Sequence, residues 1–356
     1  MGELMGPMEI FGSLPDGRAV ERHRLEGAGG IAVDILTLGG IVQRVFAPDR
    51  HGEVADVALG FDNLAAYLAN PAYLGALIGR CAGRIGNGRV DIDGVTYLLS
   101  RNSGRETLHG GDGGFHKALW TAEAAAPDRL HLSLESPDGD QGFPGALRVD
   151  AVYSLSADSG LRLDFEATTS RPTIVALTSH AYWNLAGDGA GDVLDHELQI
   201  EADAFTPVND RFLPTGEIRR VDATPFDFRE PAPLRERVAG IDDAQIALAG
   251  GIDHNFVLRG DPIRPLARAA RLSDPASGRV LEVFTTAPGL QVYTGNQMQN
   301  GPAGKPGRPY PRWGGVALET QPFPDAPHQA AFPSILLRPG EVYRSSTAFR
   351  LGVSLA

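Results

Sequence analysis

An all-β fold, a large antiparallel β-sandwich, is what this chain predicts, on three observations. Runs with apolar residues at every second position recur along its length. Gly (44) and Pro (26) are abundant between those runs. No segment carries the long 3.6-residue apolar repeat of a helix bundle. Alternation marks a half-buried strand, and glycine and proline supply the tight turns that join such strands. Strands do not alternate with helices, which argues against a βαβ architecture. Hydrophobic residues make up 42% of the chain, too many for a disordered one. No repeat, low-complexity tract or linker divides it, so residues 1–356 read as a single domain.

The strands follow in order. Ile31 to Phe46 is apolar and β-branched, broken by Gly39-Gly40 as at a hairpin or bulge. Arg129 to Glu135, Leu147 to Leu155 and Leu161 to Ala167 alternate cleanly. Later runs are His196 to Ala202, Arg279 to Thr285, Leu290 to Thr294, Gly315 to Glu319 and Tyr343 to Phe349. Turns are expected at 91–94, 137–140, 158–160 and 274–278, where Asp and Gly cluster. Helical signals are few. Asp62-Asn63 followed by Leu64 to Leu68 reads as a capped short helix, and Ala232 to Val238 as another.

Net charge is −12. Nucleic acid and anionic membranes both need a basic surface, so neither partner is expected. Cys81 is the lone cysteine, which rules out an intramolecular disulfide and suits a reducing compartment. Met1 to Ile10 carries Glu3 and Glu9 and no apolar core, unlike a signal peptide. No apolar stretch approaches the ~18 residues of a membrane span. A cytoplasmic protein is expected.

The most informative segment is Thr178 to Leu185. Strand alternation would put His180, Tyr182 and Asn184 on one face and Ala181, Trp183 and Leu185 on the other. An imidazole, a phenol and an amide make a poor core face and a good binding face. Further candidates lie elsewhere. His109 is flanked by glycines in Leu108-His109-Gly110-Gly111, whereas the nearby His116 reads as structural. Asp253-His254-Asn255 precedes an apolar strand and reads equally as a turn cap. Arg80, Arg84 and Arg89 sit in a glycine-rich stretch that lacks the Lys-Ser/Thr of a phosphate loop. Glu319 interrupts an apolar strand, where an unpaired carboxylate is costly to bury. Either an arginine pairs with it, Arg84 for instance, or it is held for function with a shifted pKa. His109, His180, His254 and Glu319 are possible metal ligands by type. No two have the short spacing of a zinc motif, so no metal is expected.

Taken together, these segments resemble the aldose 1-epimerase (galactose mutarotase) family. The matches run in order along nearly the whole chain. They begin with Gly79-Arg80 to Arg84-Ile85, Leu108 to Gly111, Asp138 to Gly145 and His180 to Leu185. They continue with Thr206-Pro207-Val208-Asn209, Pro214-Thr215-Gly216, Asp253-His254-Asn255 and Gln291 to Asn296. Glu319 to Pro327 and Leu337 to Glu341 complete the series. The resemblance implies a mutarotase-type sandwich with a sugar site on its concave face. It implies His180 as general acid and Glu319 as general base. It implies that Arg84, His109, Tyr182, Asp253 and Gln291 hold the hydroxyls of a monosaccharide. It implies ring opening and reclosure of a free aldose, such as galactose or glucose, with no cofactor. Two positions depart from the pattern: Gly83 stands where many relatives have asparagine, and Trp183 where phenylalanine is common.

Three alternatives stand beside this reading. A glycoside hydrolase usually works with two carboxylates rather than a carboxylate and an imidazole. A hexose-6-phosphate epimerase would want an arginine cluster, which Arg80, Arg84 and Arg89 are placed to supply. A silent sugar-binding module would not need both His180 and Glu319. A monomer or weak homodimer is expected.

Overall fold

A computed structural model describes residues 8–27, 29–158, 160–261 and 265–354. The first seven residues and Ser159, which fell in the expected 158–160 turn, lie outside the described residues. Two large sheets carry the fold, and both are antiparallel throughout. The nine-stranded sheet runs Thr121–Ala126, Arg129–Ser136, Leu147–Leu155, Gly160–Thr169, Tyr343–Val353, Arg279–Thr285, Ala267–Ser273, Glu197–Ile200 and Ala232–Pro233. The six-stranded sheet runs Tyr182–Trp183, Val316–Gln321, Gly289–Tyr293, Asp253–Leu258, Ala202–Thr206 and Arg219–Arg220. A five-stranded sheet, from Met8–Ser13 to Val54–Asp56, precedes them.

The expected β-sandwich is present. One core cluster takes Leu132, Val149, Leu163, Val283 and Phe349 from the larger sheet and Phe256, Leu290, Val292 and Leu318 from the smaller. Trp183 reaches across to Phe349, with ring centroids 5.2 Å apart. Burying both faces' apolar side chains supplies most of the folding free energy. A second cluster, including Ile78, Cys81, Tyr182, Ala317 and Phe323, surrounds the other face of the six-stranded sheet.

The strands read from alternation fall close to their expected bounds. The Gly39-Gly40 break is the turn between Ala32–Leu36 and Val42–Pro48. Asn63 caps Leu64–Ala69 by accepting from the Ala66 N–H at 2.9 Å. Three expectations change. The run His196 to Ala202 is two strands in different sheets, Glu197–Ile200 and Ala202–Thr206. Glu201 lies at the break, where Arg259 and Arg268 hold its carboxylate. Ala232 to Val238 is a two-residue strand followed by the helical turn Arg235–Val238. The helix Ala244–Ala249, capped by Asp243, was not anticipated.

Candidate active site

Register builds the site. Residues directly opposed on neighbouring strands share a face. Thr206, Asn255, Gln291 and Glu319 are opposed in turn across four strands. Asp253, Tyr293, Ala317 and Tyr182 form the adjacent row, and Gly289 and Gln321 begin a third. All but Ala317 and Gly289 line one cavity of about 310 Å³. The intervening residues Phe256, Val292 and Leu318 point the other way, into the core between the sheets. Polar side chains two apart thus face the cavity while their neighbours stabilise the sandwich.

His180 does not sit within a continuous strand. Thr178–Ser179 pairs with Leu77–Ile78, and Tyr182–Trp183 pairs with Val316–Ala317. His180 lies at the break, fixed by its N–H to Ala76 O (2.8 Å) and by Gly75 N–H to its own carbonyl (3.0 Å). Its ring is stacked between Tyr182 at 4.9 Å and Tyr73 at 5.8 Å. Nε2 lies 3.5 Å from Glu319 Oε1. Both side chains are buried. Burial pushes the His180 pKa down to about 3 and the Glu319 pKa well up, the latter aided by Asp253 and opposed by Arg84. Burial thus favours the uncharged form of each, an imidazole beside a carboxylic acid.

His109 reaches the cavity from a turn after Thr107–Leu108. Its Nδ1 accepts from the Gly83 N–H at 3.2 Å, which leaves Nε2 as the protonated nitrogen. That tautomer bears on metal binding. His109, His180 and Glu319 offer ligand atoms within 4.8 Å of one another, a convergence their sequence spacing did not show. An Nε2–H suits a hydroxyl better than a cation, and metal-bound histidines use the other nitrogen to donate.

Arg84 lies with its guanidinium carbon 5.1 Å from the centre of the Phe212 ring. The ion pair with Glu319 weighed from sequence is absent: among the described residues Arg84 has no carboxylate within 4.0 Å. Its donor fork is free to bind a ligand. Asp253 accepts from Gln291 Nε2 at 2.7 Å, and burial raises its pKa against the pull of Arg84. The structure thus brings His180, Glu319, Arg84, His109, Tyr182, Asp253 and Gln291 into one cavity.

Several other candidates leave the site. Asn184 is buried away from it and donates to Gly191 O and Gly314 O. The strand ends at Trp183, so the alternation that placed Asn184 there does not reach it. His254 points behind the sheet, accepting from Asp253 N–H and contacting Gln245 Oε1 at 3.0 Å. His116, which was read as structural and not as a site candidate, packs on Tyr73, and burial lowers its pKa to about 4. The three arginines do not converge. Arg80 is buried and donates to Pro144 O, Gly145 O, Ser136 O and Oγ, and Pro137 O. Arg89 is exposed and bonds Asp91 at 2.6 Å.

Gly83 adopts φ +73°, a left-handed conformation that asparagine also tolerates. A Cβ there would lie 2.9 Å from Pro324 Cβ, so the proline closes the space a side chain would use. Tyr73, Phe212, Tyr293, Asn255 and Gln321 line the cavity and were assigned no role there, although Asn255 was named beside Asp253 and His254 as a candidate. Asn255 and Gln321 had a readable signal: each lies two residues beyond a recognised site residue, Asp253 and Glu319.

The family model for aldose 1-epimerase matches residues 21–350. The chain belongs to the aldose 1-epimerase family. Galactose mutarotase of Bos taurus is 43% identical over 346 residues, covering 97% of this chain and 98% of that one. Aldose 1-epimerase of Escherichia coli K12 is 36% identical, covering 94% and 96%. The aldose epimerase homologue of C. elegans superposes with a TM-score of 0.87 at 31% identity, over 94% of this chain and 99% of that one. Galactose 1-epimerase of Lactobacillus acidophilus gives 0.84 at 27%, over 98% of each. The β-sandwich read from alternation is therefore the fold of this aldose 1-epimerase family.

Proposed function

We propose that the protein is an aldose 1-epimerase, an isomerase that interconverts the α and β anomers of a free aldose of the galactose or glucose type. The observation that carries this is the buried His180–Glu319 pair, 3.5 Å apart, beside an Arg84 with no carboxylate partner among the described residues; burial favours the pair uncharged, with its proton on Glu319. Sugar hydroxyls and the Arg84 charge favour moving that proton from Glu319 to His180. The Glu319 carboxylate then takes the proton of the C1 hydroxyl. The His180 imidazolium gives its Nε2 proton to the ring oxygen, and the C1–O5 bond breaks. The open-chain aldehyde remains, with Glu319 protonated and His180 neutral. Rotation about C1–C2 presents the other carbonyl face. The C5 hydroxyl attacks it, His180 takes that hydroxyl's proton, and Glu319 protonates the new C1 oxygen. Protons balance without a cofactor.

Arg84, His109, Tyr182, Asp253 and Gln291 hold the sugar hydroxyls in this reading. A phosphorylated hexose fits less well, because Arg80 is committed to carbonyls and Arg89 to Asp91. The same reading takes the chain as one domain, a cytoplasmic monomer or weak homodimer without nucleic-acid or membrane partners. The net charge of −12 supports the last point. Among the described residues no helix is long and apolar enough to cross a membrane.

Polarimetry of freshly dissolved α-D-galactose and α-D-glucose tests the proposal. Relaxation to the same final rotation, faster with protein, is the expected result. No acceleration of either sugar would overturn it. Hydrolysis of an aryl galactoside would recast Asp253 and Glu319 as a hydrolytic pair.

A further inference from the structure

Two amide side chains deep in the cavity, and one oxygen of a neighbouring carboxylate, are buried without hydrogen-bond partners among the described residues. Asn255 is 1% exposed and Gln321 0%. Among the described residues neither amide finds a hydrogen-bond partner for its oxygen or its nitrogen, and Glu319 Oε2 finds none either. Buried amides in folded proteins are nearly always satisfied, and leaving one unpaired is costly. The three are neighbours by register. Gln321 follows Glu319 by two residues on one strand, and Asn255 is opposed to Gln291, which is opposed to Glu319.

Gly289 makes room for them. It lies opposite Gln321, and a Cβ there would come within 2.4 Å of Asn255 Oδ1 and 2.9 Å of the Phe323 ring. Any side chain at 289 would drive the Asn255 amide out of the space it occupies. The chemistry of the group defines its ligand. Two amides supply donors and acceptors without charge, and the adjacent Glu319 offers no positive charge to balance an anion. A neutral hydroxyl, which both donates and accepts, matches this set; a phosphate or carboxylate does not.

We propose that Asn255 and Gln321 form a hydroxyl-binding subsite beside Glu319, in which both amides grip one hydroxyl of the substrate. The proposal rests on the epimerase reading for the identity of the ligand as a sugar. It makes these two residues determinants of affinity and sugar preference, additional to those assigned above. A tightly held water presents the same chemistry, and the test separates the two sources.

The test is a cycle between side chain and hydroxyl. Calorimetric Kd values are measured for galactose, glucose and the 1-, 2-, 3-, 4- and 6-deoxy forms of whichever binds tighter. The proteins are wild type, Gln321→Met and Asn255→Leu, with Gln321→Asn as a variant that retains an amide. Near-ultraviolet circular dichroism checks each fold, and polarimetry runs in parallel. Each apolar variant is expected to weaken the parent sugar about tenfold. For one deoxy sugar, the same one in both variants, that loss is expected to vanish. An equal loss for every sugar would assign the pair to water or to structure and overturn the proposal. So would unchanged affinities. Coupling without catalysis would sustain the subsite and sink the epimerase reading. Catalysis without coupling would do the reverse, and no binding of any sugar by wild type would overturn both.

Discussion

The two large sheets treat their polar side chains in opposite ways. On the nine-stranded sheet, Arg162 bonds Asp164, which also accepts from Ser346 on the next strand. Arg148, Asp150 and His131 form a similar chain, and Arg344 meets Glu166. These groups are exposed or half-buried, and each has a partner. On the six-stranded sheet, Asn255, Glu319 and Gln321 are buried and partly or wholly unpartnered. Local pairing removes the cost of polar groups on a sheet, so leaving it undone in a buried row marks a face kept for a ligand. Stability is given up there in exchange for chemistry.

Substitutions on the two sheets can break that contrast. The largest effect is expected at His180. His180→Asn should lower turnover by about 10²–10⁴-fold with the fold intact, measured by polarimetry and circular dichroism. Next comes Arg80, whose charge is held by carbonyls rather than by a carboxylate. Arg80→Met should cost about 3–5 kcal/mol in denaturant unfolding, because the buried acceptors lose their donor.

His254 gives a pH effect whose sign can be worked out. Burial depresses its pKa to about 3, below the 6.5 of an unfolded chain. Below pH 6.5 the unfolded state binds the extra proton, so stability falls as pH drops from there towards 3. The slope is up to about 1.4 kcal/mol per pH unit for each such histidine. His254→Gln should be less stable than wild type at pH 7, and the gap should narrow by pH 5 in thermal melts. The smallest effect belongs to the outer sheet. Arg344→Ala should change stability by no more than about 0.5 kcal/mol, since that pair is exposed.

Most strands were legible because alternation is local. So were His180, Glu319, Arg84, His109 and Asp253, through motifs that name them directly. Which strands pair, and in what register, is a long-range property that alternation leaves open. That is why Gln321 passed unnoticed, and why Asn255, named only within Asp253-His254-Asn255, was given no role of its own. Asn184 was misplaced because the strand ends at Trp183, so alternation no longer governs where Asn184 points, whereas Tyr182, still on the strand, shares the cavity with His180. The switch of sheets at Glu201 was hidden for a related reason: the run looks continuous until its ladder partners are known. Tyr73 and Phe212 lie in loops with positive φ, 57° and 58°, where no periodic signal exists.

Glu319 tests the central claim most directly, because chemistry and stability should move in opposite directions. Its folded pKa lies well above the 4.5 of an unfolded chain. The folded state therefore keeps a proton that the unfolded state has lost, and folding is penalised as pH rises from 4.5 to the folded value. Glu319→Gln removes the ionisable group and with it the penalty. Thermal melting at pH 8 and polarimetry on one preparation of Glu319→Gln would decide the matter. The account predicts a higher Tm than wild type, reflecting about 1–2 kcal/mol of added stability, with turnover reduced at least about 100-fold. Turnover near that of wild type, or a lower Tm, would contradict it.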